Sequence, residues 1–212
     1  MMNVLDCLDN PGDRTEHHIH HDCFAVMTSL RRAEGHSAVV TGDEFRSLMA
    51  GVCAPVTVVT TAGPDGPAGT TVSAFASLSL HPPLVSVAFA RESSLLGQIQ
   101  RTGRFGINIL AHGQEDVAVR FARRGVDRFA AVPWRPDHGL PRLTAASGWA
   151  VCELYKDVEA GDHRLLFGLV TQASRRDDTA PLVYADQTYG THSEFAVRSP
   201  RPITDQIAAF MR

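Results

Sequence analysis

A chain of 212 residues, 44% hydrophobic and 20% charged, has the proportions of one globular domain with extensions and is too short for two ordinary domains. A formal net charge of −3 gives no electrostatic reason to bind nucleic acid, so no such partner is expected. No apolar run approaches the ~18 residues that span a bilayer, and no basic patch precedes an apolar stretch at the N-terminus, so a cytoplasmic protein without membrane contact is expected.

Cys7, Cys23, Cys53 and Cys152 stand far apart with no CxxC pair, which reads as reduced thiols and neither a zinc ribbon nor a disulfide framework. GxSxG, GxGxxG, GxxxxGK[ST] and HExxH are all absent, so a dinucleotide, if used, is not held by a Rossmann turn.

In chain order, residues 1–40 lack sustained periodicity and carry the turn cluster Asn10-Pro11-Gly12-Asp13, which reads as an extension outside the domain. His17, His18, His20 and His21, flanked by Glu16 and Asp22, are a metal-ligating type of cluster. Nothing downstream completes a site at ligand spacing, so a solvated tail and no metal are expected. Thr41 to Ala50 predicts a short amphipathic helix, with Phe45, Leu48 and Met49 on one face covering a barrel end and Gly51 as its stop.

Val56 to Thr61 is a β-branched run, followed by the turn Gly63-Pro64-Asp65-Gly66-Pro67. Gly69 to Leu84, GTTVSAFASLSLHPPL, is too polar for a core strand and too regular for a loose loop. Its short hydroxyls and unencumbered amides suit close approach of a ligand to backbone. Leu84 to Ala90 follows as a strand, and three strands with short connections imply antiparallel pairing in a barrel or sandwich.

Ser93 and Ser94 open a helix whose apolar face is Leu95, Leu96 and Ile99; they can cap it or present hydroxyls to an anion. Arg104 to Leu110 reads as a strand, with Asn108 either facing a ligand or closing a strand end. Gln114 to Arg123 reads as a helix with Val117, Ala118 and Phe121 inward. Arg123 and Arg124 complement its dipole, and a reach to phosphate is the lesser reading.

Phe129 to Thr144, broken by Pro133, Trp134, Pro136 and Pro141, reads as an irregular surface loop. Trp149 to Val158 and Leu165 to Ser174 are strand-like runs around Glu159-Ala160-Gly161-Asp162-His163, a hairpin in which Asp162 can orient His163. Pro181 to Ala185 is a closing strand, and Tyr189 sits in a turn-like setting. Ile203, Ile207, Ala208, Phe210 and Met211 recur at helical spacing in the tail.

TVSAFASLSLHPPL, preceded by VTVVTT and followed by GDH and PLVY, resembles the flavin reductase family that supplies reduced flavin to two-component monooxygenases. The resemblance spans about Phe45 to Phe195. It implies a mainly β fold with flanking helices, the FMN-binding split β-barrel, over residues 41–197, with 198–212 as a tail or short helix. It also implies hydride transfer from NADH or NADPH to FMN or FAD, with reduced flavin released to a partner monooxygenase, and a homodimer. Thr70, Thr71, Val72, Ser73, Ala74, Ser77, Ser79, Ser93, Ser94, Asn108, Phe121, Asp162 and Tyr189 become the expected flavin-binding residues, and His163 the expected catalytic one. Two other readings stay open: a non-redox split barrel that carries flavin or another flat ligand, and a flavoenzyme that keeps its FMN and acts on an organic substrate.

Overall fold

The structure, a computed structural model, describes residues 39–192. The His-rich segment and the apolar spacing of the tail lie outside the described residues. Helix α1 (Gly42–Ala50) is followed by strands β1 (Ala54–Pro55), β2 (Thr57–Gly63), β3 (Gly66–Val72), β4 (Phe75–Leu80) and β5 (Pro83–Ala90). Next come α2 (Ser94–Thr102), β6 (Arg104–Ile109), α3 (Glu115–Ala122), β7 (Trp134–Asp137) and β8 (Leu140–Leu143). The long hairpin β9 (Gly148–Ala160) and β10 (His163–Arg175) precedes β11 (Val183–Ala185) and β12 (Thr188–Gly190).

Seven strands form one sheet in the order β3-β2-β6-β9-β10-β5-β4, every ladder antiparallel. The order forces the shape. β3 and β4 lie at opposite edges of the sheet, yet only Ser73 and Ala74 separate them in the chain. Two residues span at most about 7 Å beyond their neighbours, so the sheet must curl until its edges almost meet. The edges remain unpaired with each other, leaving a barrel split along one seam.

β2 is buried over five consecutive residues because both of its faces are covered. Val59 points into the barrel with Val87, Phe105, Ile107, Cys152 and Leu166. Val56 and Val58, on the alternate face, join Leu110, Ala118, Phe121 and Leu182 outside it. Each of these large side chains contributes about 1.5–3 kcal/mol by leaving water. Close packing also dictates where side chains are missing: a Cβ at Gly106 would stand 2.2 Å from the Trp149 ring, and one at Gly168 would stand 2.4 Å from Phe105 Cζ.

The barrel end is filled by α2, whose Leu95, Leu96 and Ile99 are buried in the interior cluster. The sequence pattern assigns that duty to α1. The helix forms as its pattern predicts, but none of its residues is buried, and Phe45, Leu48 and Met49 are exposed. The irregular loop expected over 129–144 contains the hairpin β7–β8, with Pro136 opposite Pro141. A two-stranded ribbon has few ladder bonds for proline to remove, and His138 (φ 50°) and Gly139 (φ 78°) supply its left-handed turn.

Among the described residues no helix is long and apolar enough to cross a membrane. Cys53 and Cys152 are free thiols.

Candidate functional site

A cleft of about 590 Å³ opens where the seam is bridged. Thr70 to Ala74 form one wall, and Ala88 to Ala90 at the end of β5 form another. Glu92 to Leu95 enter α2, Ala122, Arg124, Gly125 and Arg128 leave α3, and His163 begins β10. The seam link is held in place by backbone: Phe75 N donates to Ser73 O at 2.9 Å and Ala88 N to Ala74 O at 3.0 Å. A second hollow of about 700 Å³, mainly apolar, lies against Phe75, Ile109, Trp149 and Ala150 and holds none of the residues expected to bind flavin.

The hydroxyls of the seam divide into two kinds. Thr71 Oγ1 donates to Ala118 O at 2.6 Å and Thr70 Oγ1 to Phe121 O at 3.3 Å, so both fasten α3 onto β3. They give the cleft their backbone and methyl groups. Ser73 is exposed, and its hydroxyl has no bond among the described contacts. Ser93 occupies the N-cap position of α2 with extended backbone but makes no side-chain cap bond, and Ser94 begins the helix. Gly69, beneath this wall, lets α3 approach: a Cβ there would lie 3.0 Å from Phe121 Cε1 and 3.2 Å from Val59 O.

His163 is fixed at both ends of its environment. Its backbone pairs with Ala90 and Ala160, and its Nδ1 lies 2.7 Å from Asp162 Oδ1. The hydrogen bond and the charge of His163 hold the exposed Asp162 carboxyl below the usual carboxylate range. With Nδ1 engaged by Asp162, Nε2 is the nitrogen left to the cleft.

Arg128 was not legible in the sequence. Its Nε and one terminal nitrogen donate to Arg123 O at 3.0 and 2.7 Å, and the other terminal nitrogen donates to Gly69 O at 2.6 Å. This clasp holds the segment after α3 against β3. Burial lowers the Arg128 pKa. No spacing rule links it to Gly69, which is 59 positions away.

The fold brings Thr70, Thr71, Val72, Ser73, Ala74, Ser93, Ser94 and His163 to one cleft, with Asp162 beside His163. Other expected residues stand apart from its lining. Ser77 and Ser79 lie on β4 beyond the seam. Phe121 is fully buried and packs edge-on to Phe129, ring centroids 5.0 Å apart. Asn108 is fully buried too: its Nδ2 donates to Val58 O and Pro141 O, and its Oδ1 accepts from Leu143 N at 2.7 Å, so it ties the β7–β8 hairpin to the barrel. Tyr189 lies on β12 against Tyr184, 4.9 Å between ring centroids. Among the described residues no group of three or more His, Cys, Asp or Glu is placed to hold a metal.

A flavin reductase like domain is matched over residues 49–193. The chain belongs to the flavin reductase like family. Flavin reductase (NADH) of Kitasatospora aureofaciens is 39% identical over 156 residues, covering 71% of this chain and 82% of that relative. The flavin-dependent monooxygenase reductase subunit HsaB of Mycobacterium tuberculosis is 33% identical over 179 residues, 82% of this chain and 95% of the relative. Among solved structures, the NADH:FAD oxidoreductase SgcE6 of Streptomyces globisporus C-1027 superposes with a TM-score of 0.68 at 28% identity, over 74% of this chain and 98% of its own. Nitrilotriacetate monooxygenase component B from Mycobacterium thermoresistibile gives 0.70 at 32% identity, over 76% and 90%. The split barrel expected from the sequence is thus the fold this flavin reductase like chain shares with its structural neighbours.

Proposed function

We propose that the chain is an NAD(P)H-dependent flavin reductase that hands reduced FMN or FAD to a partner flavin-dependent monooxygenase. The observation that carries this reading is the seam cleft, which gathers Thr70–Ala74, Ser93, Ser94 and His163 from three separate parts of a chain of this family. Its roughly 590 Å³ suits a flat ring system with a second ring laid on it. Flavin and nicotinamide, when bound, supply the hydride chemistry, from nicotinamide C4 to flavin N5. The chain's part is to bind, orient and exclude water.

The backbone of Thr70 to Ala74, with the Ser73 hydroxyl, would hold the flavin in the cleft. Ser93 and Ser94, free of capping duty, take its phosphate at the start of α2. His163, steadied by Asp162 through Nδ1, presents Nε2 to the nicotinamide. A site built mainly of amides and hydroxyls suits a flavin that must leave.

The same reading places the protein in the cytoplasm as a homodimer, in which exposed Leu78 and Leu80 on the edge strand β4 find cover. It takes residues 1–40 as an extension, 41–197 as the domain and 198–212 as a tail. The test is oxidation of NADH and NADPH with and without added FMN, FAD and riboflavin. Flavin-dependent oxidation is expected; a folded protein that oxidises neither nucleotide with any flavin overturns the reading.

A further inference from the structure

Helix α2 plugs the barrel at the end where it leads into β6 at Arg104, and the hollow of about 700 Å³ lies against the far end of that strand, at Ile107 and Ile109. Helix α1 buries nothing and α3 packs outside the barrel, so none of the described helices fills this second end. Phe75, Ile109 and Ala150, all packed against the interior cluster, form the apolar floor of the hollow. The β9–β10 register sets Ala173 opposite Ala150 and Arg175 opposite Gly148, and strand alternation puts both on that same face of the sheet.

The serines of the lining are already engaged: Ser147 Oγ donates to Ile109 O at 3.0 Å, and Ser174 Oγ accepts from Arg142 at 3.0 Å. Arg175 is the one charged side chain among the described residues of the lining, it is exposed, and its guanidinium has no hydrogen bond or ion pair among the described contacts. Asp177 and Asp178 follow it closely in the chain but form no ion pair with it, and no carboxylate stands among the described lining residues. An apolar chamber within the size range of small-molecule sites, about 300–1,000 Å³, with one unpaired cation at its mouth is complementary to a flat apolar body that ends in a negative group. We propose that this hollow is a second ligand site, which takes a small aromatic carboxylate with its ring on Ile109 and Ala150 and its carboxylate at Arg175. The inference stands apart from the reductase reading, which leaves this end of the barrel unused.

The probes are 2-naphthoate and 2-naphthalenemethanol, which share one ring system and differ in the charge. Calorimetric titrations of the full chain at neutral pH, with and without saturating FMN and beside thermal melts, decide the matter. Arg175→Gln removes the cation and breaks no side-chain contact. Ala173→Phe places an aromatic ring in the hollow from an exposed strand position where such a residue is well tolerated. Thr179→Phe, in the segment that lines the hollow after β10, repeats the block in case the first variant fails to fold.

The expected result is one 2-naphthoate bound per chain, with an affinity that FMN leaves unchanged. Arg175→Gln should weaken 2-naphthoate about threefold, the modest value of an exposed charge pair, and leave 2-naphthalenemethanol unchanged. A folded blocking variant should weaken both probes about tenfold or more. Displacement of 2-naphthoate by FMN puts the probe in the seam cleft and overturns the proposal. So do equal losses of both probes in Arg175→Gln, or unchanged binding in a folded blocking variant. A wild-type protein that binds neither probe also overturns it, which is the outcome if a second copy or the chain's own residues 193–212 cover the hollow.

Discussion

Replacing Thr71 by Val removes one hydroxyl and keeps the side chain's shape. In the structure that hydroxyl reaches Ala118 O at 2.6 Å across the join between β3 and α3. Ala118 lies within α3, where helix geometry gives its carbonyl an amide partner four residues on, so the substitution orphans no buried acceptor. The expected loss is then the net value of one neutral hydrogen bond, about 0.5–1.5 kcal/mol. At about 2–4 °C per kcal/mol for a domain of this size, Tm falls by roughly 1–6 °C. Flavin affinity, measured by fluorescence titration on the same preparation, stays within about twofold, because the cleft keeps the Thr71 backbone and a methyl in place of the hydroxyl. Ser73→Ala should do the opposite: flavin affinity falls while Tm holds, since the Ser73 side chain fastens nothing among the described contacts. An unchanged Tm for Thr71→Val with flavin affinity lost would refute this division of labour and return the Thr71 hydroxyl to the ligand.

His163→Ala should leave flavin affinity nearly intact and lower kcat/KM for the nucleotide roughly tenfold, about 1.4 kcal/mol of transition-state stabilisation; unchanged kinetics in a folded variant end the catalytic reading. Asp157 is a pH prediction. Burial raises its carboxyl pKa, but hydrogen bonds from Arg164, at 2.7 Å, and Gln100 outweigh that and hold it below the usual value. A carboxylate depressed in this way stabilises the fold above its unfolded pKa of about 3.9 and loses that contribution as pH falls through the folded value. Asp157→Asn should therefore cost about 1–2 kcal/mol in denaturant melts from about pH 7 down to 5, with the gap closing below about pH 4; a gap that persists in acid contradicts the pairing. Burial pushes the Cys152 thiol up to about 12, so brief alkylation of native protein at about pH 8 should mark Cys53 and spare Cys152, read by peptide mass mapping. Rapid labelling of Cys152 in folded protein would contradict its burial.

Local pattern made much of the fold legible. The β-branched run after Pro55, the turn at Gly63 to Pro67 and the polar turn between β9 and β10 each mark a hairpin within a few residues. The stretch GTTVSAFASLSLHPPL pointed to the cleft because short hydroxyls and small residues are the side chains that leave backbone approachable. Long-range pairing was not legible. Nothing near Asn108 in the chain announces Pro141 and Leu143 as its partners, so a core tie read equally as a ligand contact or a strand-end amide. The Thr70 and Thr71 hydroxyls have the same ambiguity, which only the position of α3 resolves. The serines of α2 were ambiguous in reverse: the residues allowed capping or an anion contact, the resemblance favoured the contact, and the structure has no side-chain cap at Ser93. Helix α1 met its pattern yet buries nothing, because amphipathic spacing specifies a helix and leaves its docking partner open.

The strand order also sets a schedule for assembly. β2, β3 and β6 form one ladder and β4 and β5 another, and no strand before residue 148 joins them. The join is the β9–β10 hairpin, which pairs with β6 on one side and β5 on the other. A nascent chain that ends before Gly148 thus holds two ribbons connected through Ser73 and Ala74 and, between β5 and β6, through α2. All of the cleft except His163 has by then been synthesised, but its walls are not yet opposed. Such non-local closure is slow relative to hairpin formation, so ligand-binding competence arrives as the last step of folding and reports completion of the whole barrel.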